Sequence, residues 1–217
     1  MTRKIKTSHG PVSYAIDGTG DGTVVVLGHG AGADMHSDFM SVMAAGIAAA
    51  GSRVVRFNFL YSEARKKAPD RQPVLEQTFT EVAEFVSSEL EPEKLVIGGK
   101  SMGGRMASYV AASGAVKADG LLFLGYPLHA PGRPDRMRAD HLSDINIPML
   151  FLEGTRDPFC PLDTLRPVVA KLEAPVEISV IEDGDHSFKV RRSSGRTTED
   201  AWNEAIGHVT HWLKTIE

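Results

Sequence analysis

The chain predicts an α/β protein, a three-layer α/β/α sandwich on a mostly parallel, doubly wound sheet. Three observations carry this expectation: short, almost wholly apolar runs recur, helix-length segments separate them, and Gly, Pro or charged residues bound each run. Strands that are apolar without alternation are covered on both faces, and parallel strands need crossovers of about helix length.

The elements follow in order. Val12, Tyr14 and Ile16 alternate with small or polar residues after the His9-Gly10-Pro11 break, which predicts a hairpin at a sheet edge. Six buried strands are expected at Val24–Leu27, Val54–Phe57, Leu95–Ile97, Leu121–Leu124, Met149–Leu152 and Val176–Ile181. Between the first two, Asp34 is suited to cap a helix through Met40, Met43, Ile47 and Ala50, with Gly51 at its end. Phe79, Val82, Phe85, Val86 and Leu90 repeat at helical spacing before Pro92. Trp202, Ala205, Ile206, Val209, Trp212, Leu213 and Ile216 form one apolar stripe on a last helix that packs on the sheet. Pro127–Asp140 and Gly184–Asp200 read as loops.

No repeat, low-complexity tract or linker divides the 217 residues, so residues 1–217 are expected to form a single domain. The content of 42% hydrophobic and 24% charged residues is that of a globular chain. A net charge of −4 gives no general reason for a nucleic-acid or membrane-surface partner. Cys160 is the only cysteine, which excludes an intramolecular disulfide framework. No apolar run has the length of a signal peptide core or a membrane span, so a cytoplasmic location is expected.

Right-handed crossovers place every strand-to-helix loop at one sheet edge, where ligands of such folds bind. At that edge Leu95-Val96-Ile97 is followed by Gly98-Gly99-Lys100-Ser101-Met102-Gly103-Gly104 and then by the helix-compatible Arg105–Ala112. This is G-x-S-x-G between a strand and a helix. A serine on so sharp a turn is backbone-strained and presents its hydroxyl to the cleft, while the flanking glycines avoid collision. A phosphate loop is excluded, because the position that needs its first glycine is Lys94.

With these motifs the chain resembles the α/β-hydrolase superfamily along essentially its whole length, and especially its small dienelactone-hydrolase-like branch of acyl hydrolases. The resemblance implies an α/β-hydrolase fold and the chain order Ser, Asp, His. Asp157 follows the fifth predicted strand in Glu153-Gly154-Thr155-Arg156-Asp157-Pro158, and His186 follows the sixth in Gly184-Asp185-His186-Ser187-Phe188. Ser101 is then the expected nucleophile, His186 its base and Asp157 the acid that orients the imidazole. Among the other histidines, His9 lies in an early turn, His208 and His211 lie in the last helix, and His36 and His141 end no strand. Asp183 and Asp185 stand nearer to His186 in sequence, yet immediate neighbours rarely turn face to face, and Asp185 suits a turn.

Gly28-His29-Gly30-Ala31-Gly32 resembles the histidine-glycine loops of the superfamily, which implies the Ala31 and Met102 N–H groups as oxyanion donors. Tyr126, Leu128 and His129 follow one strand, Tyr61 follows another, and Phe159 and Phe188 flank the acid and the base. Together with His29 they are expected to line an apolar acyl pocket. The interval Tyr126–Asn146 is too short for a substantial cap. Arg133, Arg136 and Arg138 are among the cations of this edge, raising the question of an anionic substrate.

The expected function is therefore serine hydrolysis of a small ester or related acyl bond through an acyl-enzyme, with no cofactor and no metal. Two alternatives stand beside it. Gly-Lys-Ser-Met-Gly-Gly-Arg and Leu-Gly-Tyr-Pro-Leu-His also resemble a branch with testis-expressed proteins and a chromatin acetyltransferase subunit, which implies a binding module with a weak or idle triad. Gly28-x-Gly30-x-x-Ala33 fits a dinucleotide fingerprint, but Arg56 and Asn58 stand where its acidic residue is required.

Overall fold

The computed structural model describes residues 2–20 and 22–216. Its strands are β1 (Arg3–Thr7), β2 (Gly10–Asp17), β3 (Thr23–Gly28), β4 (Arg53–Phe57), β5 (Lys94–Lys100), β6 (Gly120–Leu124), β7 (His129–Ala130), β8 (Arg133–Met137), β9 (Met149–Gly154) and β10 (Val176–Ile181). The α-helices are α1 (Asp38–Ala49), α2 (Leu60–Glu63), α3 (Gln72–Leu90), α4 (Met102–Ala112), α5 (Leu162–Val169) and α6 (Thr198–Thr215).

One sheet has the order β1-β2-β4-β3-β5-β6-β9-β10. The six apolar runs are its parallel strands β3, β4, β5, β6, β9 and β10. The β1–β2 hairpin adds antiparallel strands at one edge, as the period-two pattern predicts. Side chains alternate across the sheet, so each strand feeds two cores. Val24, Val26, Ile97 and Phe123 pack with Phe79, Val82 and Met106 of α3 and α4. Val25, Leu27, Val96 and Leu122 pack on the other face with Met40, Met43, Val209 and Trp212 of α1 and α6. This is the α/β-hydrolase fold, with helices on both faces and, among the described residues, no large cap.

Two local expectations need correction. Helix α1 starts after Ser37 rather than at Asp34, whose Oδ1 accepts the His36 N–H at 2.8 Å and so closes a short turn instead. The Pro127–Asp140 segment contains the β7–β8 hairpin, hidden in the sequence because every residue of β8 is exposed and no apolar alternation marks it. Its end is fixed on both sides: Arg138 donates its N–H to Leu128 at 2.7 Å, and the Tyr126 hydroxyl donates to the Arg138 carbonyl at 2.9 Å.

The carboxyl ends of the parallel strands converge on one edge, where β3 leads into Gly30–Ala31, β5 into Ser101, β9 toward Asp157 and β10 toward His186. Among the described residues, no helix is long and apolar enough to cross a membrane.

Candidate active site

Ser101 sits between β5 and α4 with φ 51° and ψ −111°, a conformation that L-residues rarely adopt. The turn is this tight because backbones touch. A Cβ on Gly99 or on Gly103 would lie 2.1 Å from the Gly28 carbonyl oxygen, so only glycine fits at either position.

The turn aims the serine at a histidine. Ser101 Oγ lies 2.9 Å from His186 Nε2, and His186 Nδ1 lies 2.6 Å from Asp157 Oδ2. With Nδ1–H donating to the carboxylate, Nε2 presents its lone pair to the Ser101 hydroxyl and can accept a hydrogen bond from it. The second carboxylate oxygen, Oδ1, accepts the Phe159 N–H at 2.8 Å, so both oxygens of Asp157 are engaged. The ring of Phe159 meets the imidazole edge-on at 4.7 Å between centroids.

The rival carboxylates are used elsewhere. Asp185 Oδ1 accepts the N–H groups of Ser187 and Lys189 at 2.8 and 2.9 Å and builds the turn that carries His186. Asp183 binds the Arg191 side chain through Nε at 2.6 Å and faces Arg156 at 3.5 Å.

Ser101 and His186 open onto a cavity of about 540 Å³, whose wall includes Gly30, Ala31, Met102, His129 and Phe159. No acceptor takes the N–H of Ala31 or Met102 among the described residues. Two backbone donors thus remain free beside the serine, one on the β3 loop and one at the start of α4, where helix geometry leaves N–H groups unpaired.

The chain matches a family described as alpha/beta hydrolase domain over residues 21–214. It belongs to that alpha/beta hydrolase family. Solved structures agree on the fold. A serine hydrolase homologue from Coxiella burnetii superposes with a TM-score of 0.77 at 18% identity, over 98% of this chain and 97% of that one. A serine hydrolase without lid from Xanthomonas campestris gives 0.76 at 22% identity, over 98% and 94%. A dienelactone hydrolase from Anabaena variabilis gives 0.80 at 15% identity, over 100% and 97%.

Within this hydrolase fold the expected pocket residues divide. His129 and Phe159 line the cavity, whereas His29, Tyr61, Tyr126, Leu128 and Phe188 do not and are at most 1% exposed. The correction has a physical cause, because the polar members turn inward to hold loops. His29 Nε2 accepts the Phe59 N–H at 3.2 Å, its Nδ1 lies 2.9 Å from the Gly30 carbonyl, and the Tyr61 hydroxyl donates to that same carbonyl at 3.2 Å. These two rings therefore pin the loop that carries Ala31. Tyr126 anchors Arg138, as described above, and Phe188 packs against Phe39 at 5.6 Å. The glycine-rich loop also fails as a dinucleotide site, because α1 begins only at Asp38 and the glycines do not open the helix.

Three site residues escaped the sequence reading. Arg105 lines the cavity one turn into α4, and Lys100 and Glu153 lie buried beside the serine, the histidine and the acid. Burial holds the Lys100 ammonium down to about 8, against the pull of Asp157, Glu153 and Asp185, and Nζ has no hydrogen-bond partner among the described residues. Burial, and then Asp157, push Glu153 well above the usual carboxyl range, while its Oε1 accepts the Tyr126 N–H at 2.6 Å. Burial lowers His186 first, the hydrogen bond to Asp157 opposes this, and the charge of Lys100 lowers it further. The net direction is downward, which favours the neutral imidazole.

Proposed function

We propose that the chain is a serine hydrolase that cleaves an ester or related acyl bond through an acyl-enzyme on Ser101. The observation that carries this reading is the continuous series Asp157–His186–Ser101 opening onto the cavity beside two unused N–H groups. The chain's structural relatives, which include serine hydrolases and a dienelactone hydrolase, support it.

In the first half-reaction Ser101 Oγ attacks the carbonyl carbon while its proton passes to His186 Nε2. The carbonyl π pair moves onto oxygen, which the Ala31 and Met102 N–H groups stabilise. Collapse of this intermediate expels the alkoxide, which takes the proton from His186. Water then repeats the sequence on the acyl-enzyme, with His186 as base, and releases the acid and free Ser101. Asp157 holds the imidazole in the required tautomer throughout.

The test is labelling with an uncharged fluorophosphonate, read by intact mass. One adduct on Ser101, absent in Ser101→Ala together with hydrolysis of short p-nitrophenyl esters, is the expected result. A folded wild-type protein that takes no adduct and turns over no ester overturns the reading in favour of a binding module.

A further inference from the structure

The cavity wall carries a charge arrangement that the proposed chemistry leaves unused. Arg105 lies in the first turn of α4, its N–H donating to the Ser101 carbonyl at 3.0 Å, and both side chains line the cavity. Arg138 reaches the same cavity from the end of the β7–β8 hairpin, where Leu128 and Tyr126 hold its N–H and its carbonyl. Of the loop cations that the sequence places at this edge, Arg138 is the one on the wall; Arg133 and Arg136 are exposed away from it.

Neither guanidinium is satisfied by the protein. Arg105 Nε is buried without a hydrogen-bond partner, and neither arginine is in an ion pair among the described residues. Buried polar groups are nearly always paired, and a half-buried guanidinium with free donors is costly. The pair also repels: burial first, then the charge of Arg138, hold Arg105 below the usual arginine range. The adjacent His141 offers no counter-charge, being kept neutral, down to about 4, by burial and by Arg105. The carboxylate on the wall is Asp70, whose Oδ2 accepts the Tyr61 N–H at 2.8 Å. Glu76, whose charge also reaches Arg105, accepts the Gln72 side-chain amide at 2.7 Å, and neither carboxylate forms an ion pair with Arg105 or Arg138 among the described residues, so both guanidiniums remain open to an anion. Lys100 also lines the cavity, but it lies almost wholly buried next to His186 and Asp157, where the charges of Asp157, Glu153 and Asp185 act on it.

We infer that Arg105 and Arg138 form a carboxylate-binding subsite, and that the substrate is an ester bearing a free carboxylate about one helical turn from the scissile carbonyl. This rests on the hydrolase reading above. The planar forks of arginine match a carboxylate with paired N–H donors, and the rise of one helical turn, about 5.4 Å, sets the first length to try at about four methylenes.

The experiment compares kcat/KM for mono-p-nitrophenyl adipate and for the amide in which its free carboxylate becomes a carboxamide, in wild type, Arg105→Met and Arg138→Met. Labelling of Ser101 by an uncharged fluorophosphonate reports whether each protein keeps its site. Wild type is expected to prefer the anionic ester by about tenfold or more, through KM, and each variant to lose most of that preference. Arg138 is partly exposed, so its variant serves if Arg105→Met does not fold. Equal efficiency for both esters in a wild type that is labelled and active overturns the subsite and leaves the hydrolase reading intact. So does a preference that survives in the folded variants. No adduct on Ser101 and no turnover of either ester overturns the hydrolase reading, and the substrate assignment falls with it.

Discussion

Asp157 Oδ2 lies 2.6 Å from His186 Nδ1, with the Asp157 side chain wholly buried and the imidazole 20% exposed. A buried acceptor at this distance fixes both the ring orientation and its tautomer. Replacing Asp157 by Asn offers an N–H to a nitrogen that must itself donate, and turns the lone pair away from Ser101. We expect Asp157→Asn to lower kcat by roughly three to four orders of magnitude, and Asp183→Asn or Asp185→Asn by less than about tenfold. Side-by-side ester kinetics decide the ranking, and a larger loss in either of the latter two rejects Asp157 as the acid.

The pH dependence follows from the lowered His186. A base acts when unprotonated, so activity rises with pH through its pKa, and burial sets that midpoint below the usual value near 6.5. Lys100→Met removes a neighbouring positive charge that disfavours the imidazolium, and should move the acid limb of kcat/KM to higher pH. Profiles of the two proteins between pH 4.5 and about 8 test this, and a limb that stays put or moves down removes Lys100 from the electrostatics of the base.

The fold and the site differ in how readily the sequence discloses them. A parallel strand is buried on both faces, so runs such as Val24-Val25-Val26-Leu27 need no partner to be recognised. Ser101 is legible because its glycines answer a purely local contact with Gly28. Residues whose role depends on direction are not. Tyr61 and His29 follow strands at the ligand edge, yet both turn inward to the Gly30 carbonyl, a choice made by loop geometry rather than by spacing. Arg105 looks like any cation on a helix until Arg138, 33 positions later in the sequence, is folded back beside it by a hairpin without an apolar pattern. Helix α5 was also hidden, because Pro167 lies inside it.

Lys100 makes a second, thermodynamic prediction. Its ammonium is held down to about 8 in the folded protein, from about 10.5 when solvated. Between these values the unfolded chain binds more protons, so the lysine's contribution to stability rises with pH, and its full penalty applies below about 8. Lys100→Met removes that penalty and should be more stable than wild type at pH 7.5. From pH 8 to 9.5 its advantage should shrink by about 1.5 kcal/mol. Urea unfolding at the two pH values measures the change, and a constant or growing advantage refutes it.

Gly103 is expected to tolerate no side chain. An added methyl would lie 2.1 and 2.3 Å from the Gly28 carbonyl oxygen and carbon, which are backbone atoms of a central strand and cannot step aside. Gly103→Ala should cost about 3 kcal/mol or more, or leave little soluble protein. A urea midpoint within about 0.5 kcal/mol of wild type would show that the elbow has slack the geometry denies it.

The strain at Ser101 can be separated from its chemistry by two substitutions that both remove the nucleophile. Ala keeps a Cβ at φ 51° and ψ −111°, whereas Gly adopts that region without collision. Both variants lose the hydrogen bond to His186, so this loss cancels in the comparison. Glycine carries the larger entropy in the unfolded chain, which opposes the relief of strain and reduces the net effect. The strain of about 1–3 kcal/mol expected for such a residue still exceeds that entropy term of about 0.5–1 kcal/mol. We therefore expect Ser101→Gly to be more stable than Ser101→Ala by about 1 kcal/mol, with neither hydrolysing esters. Denaturant titration of the two proteins gives the difference directly. If the alanine variant is the more stable, the elbow holds no strain, and the fold positions the serine without opposing it.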